Sequence, residues 1–304
     1  MPKLTDHKVI IFDVYTTLAD WTTTVYDNLK PLLSRYASSA QWTQEEAMNA
    51  FGSIERDVQS RYPDKLHHEI FEIVYAELED SLKDLDGNQY RDAGAQTNPP
   101  EPHATSTPEE RRAFDRCTKE IVQFPDTPEA LKRLAKHFKL VVLSNIDNEC
   151  FAHTHHRMAA PEEYPDALKT YSYPVPNPKK YWYPQTVEGT KSPFTLLLTA
   201  EQTGAYKPSP KGFNIAFNEI ENDPDLLGGT GLKAKEYTMI VAAGLPSDIA
   251  PAHEFGMNSV FMDRGNIGDE KAAAKIGGKK WTWKFNTLAE LADAVEKELA
   301  EKQL

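Results

Sequence analysis

Cysteine is nearly missing: among 304 residues only Cys117 and Cys150 occur, far apart and without a Cys-x-x-Cys pair. That scarcity excludes a disulfide framework and a cysteine-bound zinc cluster, and it fits a reducing compartment. Long hydrophobic runs are missing too. The longest, such as Phe194 to Leu198 and Met239 to Leu245, fall far short of the roughly 20 residues that cross a bilayer. The amino end is charged and polar up to Lys8 and lacks the apolar region of a secretory signal, so a cytoplasmic location is the expectation. Positive charge is in short supply: 34 Lys and Arg against 46 Asp and Glu leave a net charge of −12. This balance works against phosphate-backbone binding, and neither nucleic acid nor a membrane is an expected partner. What remains is a chain long enough for about two domains, with a 40% hydrophobic share and 21 prolines that predict long loops.

Val9, Ile10, Ile11 and Phe12 form a continuous apolar run, the mark of a strand buried on both faces, and it stops at Asp13. The pattern recurs at Leu140 to Leu143, which ends on Ser144-Asn145, at Thr195 to Leu198, and at Met239 to Val241, which enters the Gly244-Leu245-Pro246 loop. Helix-like segments separate these runs, and that alternation predicts an α/β core, a Rossmann-like parallel sheet with helices on both faces. Ligands of such sheets bind beyond the carboxyl ends of the strands, so Asp13, Ser144, Asn145 and the loop 244–248 should converge on one crevice.

From Trp21 to Val122 the texture changes to helical periodicity: Val25, Leu29, Leu32, Leu33 and Tyr36, then Phe51, Ile54 and Val58, then Ile70, Phe71, Val74 and Leu78. The expected organisation is a core of 1–20 and 123–304, interrupted by a helical domain of 21–122 after the first strand. Asn98-Pro99-Pro100-Glu101-Pro102-His103 reads as an exposed loop. Thr107-Pro108-Glu109-Glu110 then restarts a helix, with Thr107 as N-cap and Glu110 completing a capping box. A second excursion, 153–193, is rich in proline and tyrosine, and it reads as a loop packed on its own side chains or a substrate lid. His153, His155 and His156 are expected on that loop, with no Cys or carboxylate partner at zinc spacing. Gly228-Gly229-Thr230-Gly231 lacks a phosphate-loop ending and reads as a turn.

An aspartate at the end of the first strand is where a nucleophile or metal ligand would sit, although Asp13 alone could equally be a turn residue. Its context is more specific. Asp13-Val14-Tyr15-Thr16-Thr17-Leu18, Leu143-Ser144-Asn145, Ala205-Tyr206-Lys207-Pro208 and Ala243-Gly244-Leu245-Pro246-Ser247-Asp248 together resemble the four-motif series of the haloacid dehalogenase superfamily, in order and placement. Where phosphatases of that superfamily resemble one another in carrying an Asp general acid, this chain has Tyr15. A phenol with a reference pKa near ~10 is a poor donor to a leaving alkoxide, which favours a leaving group that needs no proton, such as halide. The motifs look like the L-2-haloacid dehalogenase branch, and the run from Ser247 to Arg264 looks like a fungal-type member.

The resemblance implies a cap domain in the insert and covalent catalysis by Asp13, with a small-molecule 2-haloacid as substrate, no cofactor, no resident metal and relatives that pair as homodimers. It implies that Lys207 keeps Asp13 ionised or pairs with the substrate carboxylate. Asp248 would orient the hydrolytic water or hold Lys207, and Tyr15, Thr17, Ser144 and Asn145 would line the substrate site. Departures occur as well. Thr16 replaces the glycine usual after Tyr, Ala243 and Leu245 replace a Ser and an Asn, and Phe51-Gly52 stand where the family reads Trp-Arg, leaving Arg56 one turn later as the geometric substitute. Two other functions fit the same residues: a phosphatase holding Mg²⁺ between Asp13 and Asp248, and a non-catalytic binding protein using segment 153–193 as its surface.

Overall fold

The computed structural model describes residues 2–92, 105–159, 169–173, 180–186, 188 and 190–302. The chain forms two compact units, one of Met1–Asp20 with Val122–Leu304 and one of Trp21–Ile121.

In the first unit Val9–Phe12 (β1) is wholly buried, as an inner strand covered on both faces must be. Lys139–Ser144 (β2), Leu196–Thr199 (β3), Thr238–Ala242 (β4), Asn258–Met262 (β5) and Trp283–Phe285 (β6) complete a six-stranded sheet in the order β3-β2-β1-β4-β5-β6. Each pairing is parallel, with Ile10 level with Leu140 on one side and with Met239 on the other. This is the Rossmann-like order expected of the α/β core. The last two strands are additions to the sequence reading. β5 opens on half-buried Asn258, and β6 is a short edge strand of half-buried residues, so neither shows an unbroken apolar run.

Winding reverses between β1 and β4, which opens a crevice beyond their carboxyl ends. Helices cover the sheet. Pro210–Asn222, capped by Ser209, turns Phe213, Ala216, Phe217 and Ile220 onto Ile11, Val141, Leu143, Leu198 and Ile240. Burying each of the larger side chains stabilises the unit by about 1.5–3 kcal/mol. Leu288–Lys302 buries Leu288, Leu291, Ala292 and Val295, and its first amides donate to Asp126 (Leu288 N, 2.6 Å).

Segment 153–193 differs from its expected loop character at its start. Asn148–Ala159 is a helix that takes in His153, Thr154, His155 and His156, all but His156 buried. The imidazole of His155 is enclosed: Tyr171 stacks on it at 3.9 Å, and its ring nitrogens bond to Tyr173 Oη (2.8 Å) and Ser192 Oγ (2.6 Å). Tyr173 in turn stacks on Trp182 at 3.7 Å. These histidines are therefore parts of a helix, and among the described residues no group of three or more His, Cys, Asp or Glu could hold a metal. The expected turn at Gly228 forms, with φ 67° at that residue.

The second unit is helical throughout its described length: α1 (Trp21–Leu33), α2 (Gln44–Arg61), α3 (His67–Asp92) and α4 (Pro108–Asp115). Phe51 sits at the centre of an aromatic core, with Trp21, Phe71 and Phe114 rings 5.3–6.0 Å from its own. The Thr107–Glu110 capping box forms, with Pro108 in the first turn, and Thr43 and Glu46 make a second one on α2. Buried Glu79 accepts from Ser106 N (2.9 Å), Ser106 Oγ (2.5 Å) and Tyr36 Oη (3.1 Å), so this charge is fully solvated by the protein. The loop 98–103 lies outside the described residues.

Candidate active site

Asp13 leaves β1 at the reversal point and is buried. Lys207 Nζ donates to Asp13 Oδ1 at 2.8 Å, to Asp248 Oδ1 at 2.7 Å and to the carbonyl of Leu143 at 2.7 Å. Those contacts use all the donors an ammonium has. The carboxylates of Asp13 and Asp248 thus face each other across one buried cation. Burial alone would lower the lysine pKa, but the two carboxylates outweigh it and the net displacement is upward, so Lys207 stays charged. Burial, reinforced by the charge of Asp13, pushes Asp248 up to about 6 against the opposing pull of Lys207 and Ser247.

The second oxygens of both carboxylates are also held. Thr17 Oγ1 donates to Asp13 Oδ2 at 2.6 Å while accepting from Ala243 N at 2.9 Å, so the threonine proton is directed at Asp13. Ser247 Oγ donates to Asp248 Oδ2 at 2.5 Å. With apolar residues at 243 and 245, the Leu143 carbonyl accepts from Lys207, and the backbone N–H of Ala243 supports Thr17.

Backbone devices aim these groups. Asn145, just past β2, brackets the main chain of Lys207: Lys207 N donates to its Oδ1 (2.6 Å) and its Nδ2 donates to Lys207 O (3.0 Å). Asn145 is thereby a positioning residue for Lys207, whereas its expected part was to line the substrate site. The Oγ of Ser144, beside it, is buried and has no hydrogen-bond partner among the described residues. After Asp13 the chain folds back on the carbonyl of Val14, which accepts from Thr17, Leu18 and Ala19, and Thr16 sits at φ 69°. Arg264 holds this turn through the carbonyl of Thr17 (3.0 Å) and is itself paired with Asp126 (2.8 Å). Nothing in the local sequence marks Arg264 for that task, because its partners lie more than a hundred residues away.

Tyr15 points elsewhere: its hydroxyl shares a hydrogen bond with Thr154 Oγ1 at 3.1 Å, and burial raises its pKa further above the ordinary phenol value. Arg56 belongs to the helical unit, where it stands exposed on α2 beside Glu55, whose carboxyl burial pushes up to about 7 against the pull of Arg56. The residues of the α/β unit that come together are therefore Asp13, Thr17, Asn145, Lys207 and Asp248, joined by Ser247, to which the sequence reading gave no role of its own.

No family model matches this chain, and no curated protein does so. Solved structures do. The L-2-haloacid dehalogenase from Xanthobacter autotrophicus is similar at TM-score 0.56 and 13% identity, across 96% of this chain and 99% of that one. A dehalogenase captured as an intermediate complex gives 0.55 at 16% identity, across 96% and 97%. A HAD-hydrolase from Bacillus subtilis bound to magnesium gives 0.53 at 16%, across 95% and 99%. This chain shares its fold with those two dehalogenases and that hydrolase.

A divalent cation bridging Asp13 and Asp248 through the oxygens that Lys207 holds would have to displace its ammonium. The ammonium of Lys207 lies within 2.8 Å of both carboxylates.

Proposed function

We propose that the chain is a hydrolase working through an ester on Asp13, with the halide of a short L-2-haloacid as leaving group. The observation that carries this reading is the buried Lys207 ammonium between Asp13 and Asp248. It keeps the nucleophile anionic without a metal and leaves the site with one excess negative charge, enough for one carboxylate to attack and one to act as base. A carboxylate oxygen of Asp13 attacks the halogen-bearing carbon, and the carbon–halogen bond breaks with its electron pair leaving as halide. Asp248 then takes a proton from water, and the hydroxide attacks the Asp13 ester carbon. The 2-hydroxyacid leaves as its alkoxide and takes that proton, and the proton that the added hydroxyl brings to Asp13 is released to solvent, which restores both carboxylates. The free hydroxyl of Ser144 suits the substrate carboxylate or the halide, Arg56 is the proposed cation of the helical cap, and Tyr15, tied to Thr154, supports the wall of the site.

The same tyrosine argues against phosphoester chemistry, since a raised phenol cannot protonate a leaving alkoxide near neutral pH. The test is chloride release from L-2-chloropropionate without added metal, run beside hydrolysis of an aryl phosphate with and without Mg²⁺. Chloride release that disappears in Asp13→Asn supports the proposal. Unchanged release in that variant overturns the mechanism, Mg²⁺-dependent phosphate release favours the phosphatase, and an inert protein in both assays favours a binding role.

A further inference from the structure

The loop after β4 holds a contact that the reaction scheme above does not use. Leu245–Ile249 winds as a wide turn in which Ile249 N reaches back to Gly244 O at 3.1 Å, and this geometry places the Ser247 hydroxyl 2.5 Å from the Asp248 carboxylate of the next residue. Gly244 makes the contact sterically feasible. A Cβ at that position would lie 2.3 Å from Ser247 Oγ and 2.4 Å from Asp248 Oδ2, so any side chain there would push the pair apart. Each Asp248 oxygen then has its own donor, Lys207 on Oδ1 and Ser247 on Oδ2, just as Asp13 has Lys207 and Thr17. The result is an unbroken chain from Thr17 through Asp13, Lys207 and Asp248, all buried, to half-buried Ser247. The charged groups facing Asp248 within it are Lys207 and Asp13.

We propose that Ser247 is a positioning residue of the active site, fixing the rotation of the Asp248 carboxylate so that Oδ1 meets Lys207, and selectively stabilising its ionised form. A hydroxyl can donate to a carboxylate but gains much less from a protonated carboxyl whose lone pairs are weaker acceptors. Ser247 thereby does for Asp248, from the next residue along, what side chains at 243 and 245 cannot do here. The catalytic consequence rests on the hydrolase reading; the electrostatic one does not.

The experiment follows the Asp248 carboxyl by NMR in the intact protein with ¹³C-labelled aspartate, assigned through Asp248→Asn, in the wild type and in Ser247→Ala. The Asp248 titration midpoint is expected to rise by about one pH unit in Ser247→Ala, consistent with one lost charge-assisted hydrogen bond, and to return in Ser247→Thr. The acid limb of kcat/KM should move by the same amount. Ser247→Cys, a near-isosteric weak donor, should give an intermediate shift and replaces the alanine variant if that one fails to fold. An unmoved midpoint in either variant overturns the proposal. If the midpoint moves but no halide or phosphate is released by the wild type, the hydrolase reading fails and the role of Ser247 stands.

Discussion

Thr16 is the residue whose backbone fits its side chain least. At φ 69° it occupies the left-handed region, which a β-branched residue enters at a cost of about 1–2 kcal/mol. The position is set by the turn that brings Thr17 onto Asp13, and Arg264 clamps the carbonyl of Thr17 from outside. Thr16→Gly should therefore stabilise the protein by about 0.5–1 kcal/mol, the strain released minus the larger entropy a glycine loses on folding. Chemical denaturation read by fluorescence checks this, and a destabilised variant would mean that contacts of the threonine side chain outweigh the strain. Site residues at this scale were legible in unequal measure. Asp13 stands at a strand end and Asp248 in the loop beyond β4, so position was enough to bring those two together, whereas Lys207, beyond a short helix after β3, was brought in by the motif resemblance. Asn145 was assigned to substrate because a strand-end amide looks the same whether it faces a ligand or a neighbouring main chain, and only the contacts to Lys207 N and O separate the two.

Among the elements, the helix Asn148–Ala159 departs furthest from its sequence reading. Its histidines and the prolines beyond 160 suggested a surface loop, but Phe151, His155 and Met158 are spaced to bury one face, and the rings of Tyr171, Tyr173, Phe194 and Trp182 gather around His155 and one another. Polar residues buried by partners distant in sequence leave no apolar period to read, which also hid Glu79 in the helical unit. Inner strands, by contrast, were legible because parallel strands covered on both faces show unbroken apolar runs. Burial in this cluster lowers the His155 pKa to about 3. The unfolded chain thus binds a proton near pH 6.5 that the folded chain refuses until about pH 3, and stability falls as pH drops through that window, by up to about 1.4 kcal/mol per unit. The raised pKa of Asp248 acts with the opposite sign between its unfolded value and about 6, so the wild-type slope alone underreports the histidine. Comparing unfolding free energies of wild type and His155→Gln from pH 7 to pH 4.5 isolates it. The gap between the two should narrow toward acid, and a constant gap would show that His155 is not held neutral.

At the scale of the molecule, the site joins segments far apart in the chain: Asp13 and Lys207 are separated by 194 positions, and Lys207 and Asp248 by 41. A pair of buried carboxylates has to be neutralised in part, and here a single lysine does so. A divalent cation bridging the same oxygens would have to displace that ammonium. About 10 mM Mg²⁺ should therefore leave the thermal midpoint of the wild type unchanged, and a chelator should do the same. Lys207→Ala removes the ammonium and should cost about 3–5 kcal/mol, since two carboxylates then face each other uncompensated. That variant should acquire a Mg²⁺-dependent gain: for a dissociation constant of about 1 mM, about 10 mM Mg²⁺ restores about 1.4 kcal/mol. Scanning calorimetry of both proteins with and without Mg²⁺ decides it. A wild type that Mg²⁺ stabilises would show that the cation displaces Lys207, and the metal-free route through Asp13 would then lose its electrostatic basis.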